Sequence, residues 1–129
     1  MAAGAVRYDF SGQRAMITGG SRGIGYAIAE AFARADASVS ILADDDGVVV
    51  AAERLHQETG ADTRPIQCDI TDSSSLAAAI ADHGPIDVLV NNAGIEFITP
   101  ADDPAPHVDE TFRRIIETNV IGTWNVTRA

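Results

Sequence analysis

A chain of 129 residues, 46% of them apolar, is long enough for one domain with a real core and excludes global disorder. Nine basic against nineteen acidic side chains give a formal net charge of −10, which turns away nucleic-acid phosphates and anionic membrane surfaces as partners. The single cysteine, Cys68, excludes an internal disulfide and argues against a metal-thiolate cluster.

The first stretch, MAAGAVRYDFSGQ, carries Arg7 and Asp9 where a secretory signal needs an unbroken apolar core. No apolar run nears the ~20 residues of a membrane span, so a soluble, cytoplasmic protein is expected. RAMIT (14–18) reads as a strand. From Arg22 onward, Ile24, Ala27, Ile28, Ala31, Phe32 and Ala35 recur at spacings of three and four, which predicts one apolar face of a helix. Glu30 and Arg34 fall on its other side as an i,i+4 pair.

ASVSILA (37–43) is the next strand, and DDD supplies N-cap candidates for a helix from about Val48 to Thr59, with Gly60 at the C-cap position. TRPIQC (63–68) is a third, weaker strand. Asp72 or Ser73 caps a helix through Leu76 and Ile80 that HGP stops. IDVLV (86–90) is a fourth strand, apolar apart from Asp87, as strands buried on both faces tend to be. Beyond the Pro-rich loop TPADDPAP, a last helix runs from about Asp109 to the end. Strands alternating with helices predict an α/β fold, a parallel sheet covered on both faces, as one domain over residues 1–129.

TGGSRGIG (18–25) lies between the first strand and the first helix, where a phosphate-binding turn belongs. Gly19 lets the chain turn as it leaves the sheet. Gly23 lets backbone approach a pyrophosphate, and Gly25 lets the helix pack close, its N-terminal N–H groups facing the anion. Asp44 stands nineteen residues beyond Gly25, close to the spacing of the acid that hydrogen-bonds a ribose diol. Asp45 and Asp46 are read as capping and solvating the next helix.

These residues resemble the short-chain dehydrogenases/reductases, whose glycine turn is T-G-x-x-x-G-x-G. Three further segments carry the likeness: CDITD (68–72), NNAG (91–94) and TNV (118–120). The resemblance covers residues 9–129 and implies a Rossmann-type doubly wound sheet of order 3-2-1-4, with ligand at the carboxyl ends of the strands. It implies that Gly19, Ser21, Arg22, Gly23, Ile24 and Gly25 surround the pyrophosphate and adenosine ribose. It also implies that Asp44 holds the ribose hydroxyls and that Asp69 and Ile70 flank the adenine. Asn91, Ala93 and Gly94 would line the central cofactor cleft. The implied activity is hydride transfer between a nicotinamide and a small secondary alcohol or ketone, in a homo-oligomer.

Asp44 and Arg22 bear oppositely on the choice of cofactor. A carboxylate about 6 Å from a 2′-phosphate costs ~3 kcal/mol per unit charge at an effective dielectric near 20. Arg22 offsets part of this, and only NAD offers the diol, so NAD is expected over NADP.

In the last helix Phe112, Ile115, Ile116, Val120, Thr123 and Thr127 form a stripe that includes Asn119. The resemblance makes Asn119 the catalytic asparagine that positions a water on a proton path to an active-site lysine; otherwise it is a core amide tying this helix to a strand. Gly122 suits a distorted segment there. The family's Y-x-x-x-K is missing: Gly12 and Glu30 stand four residues after Tyr8 and Tyr26, and all nine basic side chains are arginine.

The sequence thus reads as the N-terminal portion of a dehydrogenase, with most of a cofactor site and little of a catalytic one. Such a piece is expected to self-associate or to be marginally stable. The rival class is a dinucleotide-binding module without catalysis. A sugar-nucleotide epimerase of the extended family fits less well, since its turn reads T-G-x-x-G-x-x-G. His56, His83 and His107 lack ligand spacing, so no metal site is expected. Trp124 reads as packing or as part of an oligomer interface.

Overall fold

The structure, a computed structural model, describes Gly4 and residues 6–129. Residues 1–3 and 5, on which part of the reading of the N-terminal stretch falls, lie outside the described residues. Four strands, β1 (Arg14–Thr18), β2 (Ser38–Ala43), β3 (Thr63–Gln67) and β4 (Val88–Val90), form one parallel sheet in the order β3-β2-β1-β4. Between and after them run α1 (Gly23–Arg34), α2 (Gly47–Thr59), α3 (Ser73–Ala81) and α4 (Pro106–Ile116). A π-helical segment, Glu117–Gly122, then leads into α5 (Thr123–Arg128).

Alternate side chains of each strand serve opposite faces, and each face has its own core. Ile17, Val39 and Ile41 pack with Ala29, Ala33, Val48 and Leu55 of α1 and α2. Met16, Leu42 and Ile66 pack with Leu76 and Ile80 of α3 and Val126 of α5. This is the α/β parallel sheet covered on both faces that the alternation of elements predicts, in the Rossmann-type doubly wound order that the family resemblance implies. Its strand order reverses at β1, with β2 on one side and β4 on the other, so the chain splays apart where those strands end.

The termini of α2 and α3 follow local chemistry. Gly60 closes α2 with a left-handed φ of 76°. The Asp72 carboxylate accepts the Ser75 N–H at 3.1 Å and the Ser75 and Ser74 hydroxyls at 2.6 and 2.9 Å. These bonds hold its pKa below the usual carboxylate value. The Glu30–Arg34 pair forms at 2.6 Å.

Four expectations shift. In α1 the buried face is Gly25, Tyr26, Ala29 and Ala33, whereas Ile24 is 75% exposed. The helix lies so near the turn and sheet that the smallest side chains take the contact face, and apolarity alone points one position off. The fourth strand contracts to Val88–Val90, and its three residues are half-buried because β4 pairs only with β1. Asp87 belongs to the sheet's border: its carboxylate accepts the Arg14 N–H at 2.8 Å.

The last helix begins at Pro106. Its predicted inward stripe also turns outward, with Phe112 54%, Ile116 40% and Val120 54% exposed, while Val108, Gly122 and Val126 are buried. The π-helical segment breaks the 3.6-residue period, so no single stripe spans the element. Among the described residues, no helix is long and apolar enough to cross a membrane.

Candidate functional site

The splayed ends of β1 and β4 are tied together by Thr18 and Asn92. Thr18 is 1% exposed, and its hydroxyl oxygen accepts the backbone N–H of Asn92 at 3.0 Å and of Ala93 at 2.9 Å. In return the Asn92 amide group donates to the carbonyls of Thr18 at 3.0 Å and Gly19 at 3.3 Å. The sequence expectation gives roles to Asn91, Ala93 and Gly94 of this segment and none to Asn92. The signal was the doubled asparagine directly after a strand.

Over this clasp lies an open cleft of about 970 Å³, lined by the glycine-rich turn, the ends of β2 and β3, and the segment after β4. Gly19 turns the chain with φ +65° and its N–H donates to Leu42 C=O at 2.7 Å. Gly23 has φ +57°, and a Cβ there would meet nothing within 4 Å, so its flank faces free space. Gly25 is the opposite case: a Cβ would lie 2.1 Å from the Gly19 carbonyl oxygen and 2.5 Å from Asn92 Nδ2. Arg22 stands in extended conformation at the N-cap of α1 and makes no side-chain cap. The first N–H groups of α1 are therefore left to an external acceptor, the arrangement that suits a diphosphate.

The acid rim differs from the sequence reading in one respect. Asp44 is exposed in the cleft at the end of β2, as expected. None of the three aspartates caps α2: Asp46 holds the N-cap position without a side-chain bond. Asp45 instead lines the cleft, where its carboxylate accepts the Ser21 hydroxyl at 2.9 Å.

On the β3 side, Asp69 folds over its own loop, accepting the Thr71 N–H and hydroxyl, each at 2.8 Å. Ile70 forms part of the cleft wall but is only 6% exposed. It packs against the π-helical segment, where a Cβ on Gly122 would fall 2.6 Å from Ile70 Cγ1. Burial pushes the pKa of the neighbouring Cys68 thiol up, with Asp72 and Asp69 adding to the shift.

Ala93 and Gly94 line the cleft. Asn91 is not among the lining residues, and its amide donates to Thr127 Oγ1 at 3.2 Å, joining the end of β4 to α5. Asn119 pairs reciprocally with the backbone of Ile95: its Oδ1 accepts the N–H at 2.8 Å and its Nδ2 donates to the carbonyl at 2.9 Å. It is exposed, not a core amide, and it ties the π-helical segment to the chain beyond β4.

Tyr26 is buried away from this chemistry between α1 and α2. Its hydroxyl donates to Glu58 at 2.9 Å, and the Arg54 guanidinium lies 4.8 Å from its ring centroid. Burial first and the hydrogen bond to the Glu58 carboxylate second raise its pKa above the usual tyrosine value.

The short chain dehydrogenase family model matches residues 13–129. The chain is 34% identical over 125 residues to a 3-dehydrosphinganine reductase of Arabidopsis thaliana, covering 96% of this chain and 37% of the relative. It is also 34% identical over 125 residues to a 3-oxoacyl-[acyl-carrier-protein] reductase of Escherichia coli, covering 94% and 49%. The L-sorbose reductase of Gluconobacter frateurii, solved with NADPH and L-sorbose, superposes with a TM-score of 0.85 at 30% identity, covering 95% of this chain and 48% of that one. A Brucella melitensis 3-oxoacyl-[acyl-carrier protein] reductase with bound NAD gives a TM-score of 0.83 at 33% identity, covering 99% and 53%. The chain spans about half the length of the relatives it matches, or less. The clasped switch point, the open helix N-terminus beside an acid rim and these matches lead to one conclusion: the chain belongs to the short-chain dehydrogenase/reductase family of oxidoreductases.

Proposed function

We propose that this protein takes NAD(H) in preference to NADP(H) and serves hydride transfer between the nicotinamide and a small secondary alcohol or ketone. The observation that carries the cofactor choice is Asp44, exposed at the end of β2 on the rim of the cleft that holds the glycine-rich turn. From there its carboxylate accepts hydrogen bonds from a ribose diol and repels a 2′-phosphate. Arg22, on the same rim, offsets part of that repulsion.

Gly19, Ser21, Arg22, Gly23, Ile24 and Gly25 are assigned to the diphosphate and adenosine ribose, Asp69 and Ile70 to the adenine, and Ala93 and Gly94 to the centre of the cleft. Asn91 acts behind it, holding α5. The nicotinamide supplies the hydride chemistry; this chain's residues hold the dinucleotide and fix the shape of its cleft. Asn119 is assigned the family's asparagine role, positioning a water on a proton path, and its two bonds to the Ile95 backbone hold its amide in place. An assembly of several copies is supported by the exposed apolar side chains Phe112, Ile116, Val120 and Trp124. A reducing, cytoplasmic setting is supported by the lone, buried Cys68.

The test is calorimetric titration of the purified protein with NADH and NADPH. Tighter binding of NADH supports the proposal, and tighter binding of NADPH overturns the preference. A binding module without catalysis is the second reading, favoured by the engagement of the Tyr26 hydroxyl by Glu58. Absorbance at the NADH band with a panel of ketones separates the two: binding without ketone-dependent NADH oxidation selects the module.

A further inference from the structure

A polar row crosses the sheet at the end opposite the cleft. Met16, Leu42 and Ile66 share one core beneath α3, and the residue two positions earlier on each strand points to the same face. Those residues are Arg14, Ser40 and Arg64, with Ser38 in register beside Arg14 and Arg64 in register beside Ser40. The turn after α3 lays His83 across the row, where its Nε2 hydrogen-bonds the hydroxyl of Ser40, a residue only 6% exposed. The Arg14 guanidinium reaches the same turn: a Cβ on Gly84 would stand 2.9 Å from its Nη1.

Positive charge along this row is poorly compensated. In a chain of net charge −10, Arg14, Arg64 and the His83 ring converge on one shallow recess that holds a single acid, Asp62. Asp62 stands 3.9 Å from Arg64, and Arg14 makes no ion pair among the described residues. The Asp87 carboxylate nearby accepts the Arg14 backbone N–H instead. The recess measures about 10 Å³, close to the room one water needs. It therefore seats one oxygen of an ion and leaves the others outside, beside the two guanidinium groups.

We propose that this recess binds a tetrahedral oxyanion, free sulfate or phosphate, between Arg14 and Arg64, with the Ser40 hydroxyl as a donor that protonation of His83 releases. A serine hydroxyl has one proton. In the neutral tautomer that accepts at Nε2, that proton is spent on the ring. The imidazolium donates from both nitrogens, so the Ser40 oxygen accepts and its own proton turns to the recess. Charge works in the same direction. The charged groups facing the ring are Arg14 of β1, Arg64 of β3 and Asp62 just before β3. Burial first, then the two arginines, lower the His83 pKa, and Asp62 opposes them. An anion across the arginines cancels their repulsion, so the protonated ring binds it more tightly, and by linkage the anion raises the pKa of His83.

The experiment follows the ring-proton resonances of His56, His83 and His107 through a pH titration in sodium sulfate and in sodium chloride of equal ionic strength. His83→Gln identifies the His83 signal. Sulfate is expected to raise the His83 pKa by about one unit over chloride, which is about tenfold tighter binding by the protonated ring. His56 and His107 are expected to move by less than about a quarter of that. Arg14→Gln and Arg64→Gln, both at exposed positions, should each at least halve the shift, and Ser40→Ala should reduce it. Equal shifts in chloride, or at all three histidines, are screening alone and overturn the proposal. An undiminished shift in both arginine variants overturns it as well. A full shift in Ser40→Ala overturns the part given to the hydroxyl. Sulfate held only at the glycine-rich turn, at the other end of the sheet, would leave His83 unmoved, and that result too overturns the proposal.

Discussion

The Thr18 hydroxyl oxygen lies 3.0 Å from the Asn92 backbone nitrogen, and this bond joins the ends of β1 and β4 where the strand order reverses. The same oxygen takes the Ala93 N–H, so one side chain satisfies two backbone donors that the diverging strands leave unpaired. Thr18→Val keeps the shape and removes the acceptor. Two part-buried N–H groups then lose their partner, at about 1–3 kcal/mol each. Urea denaturation is expected to show a loss of about 2–6 kcal/mol for valine and about 1 kcal/mol for Thr18→Ser, which retains the oxygen. Equal losses in the two variants would mean that the methyl group, not the hydroxyl, matters.

Gly23 and Gly25 are expected to fail differently on substitution by alanine. At Gly25 the new Cβ would meet the Gly19 backbone carbonyl oxygen at 2.1 Å and the Asn92 side-chain amide of the clasp at 2.5 Å. The α1 N-terminus must shift, and Gly25→Ala is expected to lower stability by about 1–3 kcal/mol. At Gly23 the Cβ meets nothing, so the cost is the left-handed φ of +57°, about 1–2 kcal/mol. The added methyl there occupies the space assigned to the diphosphate. Gly23→Ala should therefore weaken NADH binding at least tenfold for a modest fall in stability, as calorimetry and melting on the same samples can tell.

What could be read in the sequence divides along a physical line. Strand and helix order followed from periodicity and punctuation. The phosphate turn followed from glycines whose spacing is tied to a known geometry. Contacts between distant segments left no such trace. Asp45 looked like a cap because neighbouring aspartates usually are, and only the fold brings Ser21 beside it. Nothing in a linear string distinguishes Asn92, whose amide reaches Thr18, from Asn91, whose amide reaches Thr127. The last helix misled for a different reason. Period counting assumes 3.6 residues per turn, and the π-helical segment at Glu117–Gly122 breaks that assumption within the stripe being counted.

Gly122 and Ile70 form a pair that substitution can test. With 2.6 Å between a Cβ at 122 and Ile70 Cγ1, Gly122→Ala overpacks the junction between the π-helical segment and the β3 loop. The expected loss is about 1–3 kcal/mol. Ile70→Ala opens that space, so it should cost less in the alanine-122 background than in the wild type. Additive losses in denaturation would show that the two positions do not compete for the same volume.

His83 gives the fold a pH dependence of definite sign. Its ring is half-buried at the foot of the sheet and hydrogen-bonds the Ser40 hydroxyl of β2. Burial first, then the positive charges of Arg64 and Arg14, depress its pKa, and Asp62 opposes them in part. A histidine whose folded pKa lies below its unfolded value of about 6.5 adds stability in full above that value. That contribution fades as the pH falls from about 6.5 through the folded pKa, because the unfolded chain takes up the proton first. His83→Gln keeps a polar side chain beside Ser40 and cannot titrate. Its stability is expected to change less than that of the wild type between pH 7 and pH 5, with the two profiles closest above pH 7. Parallel profiles across that interval would rule His83 out as the source of the dependence.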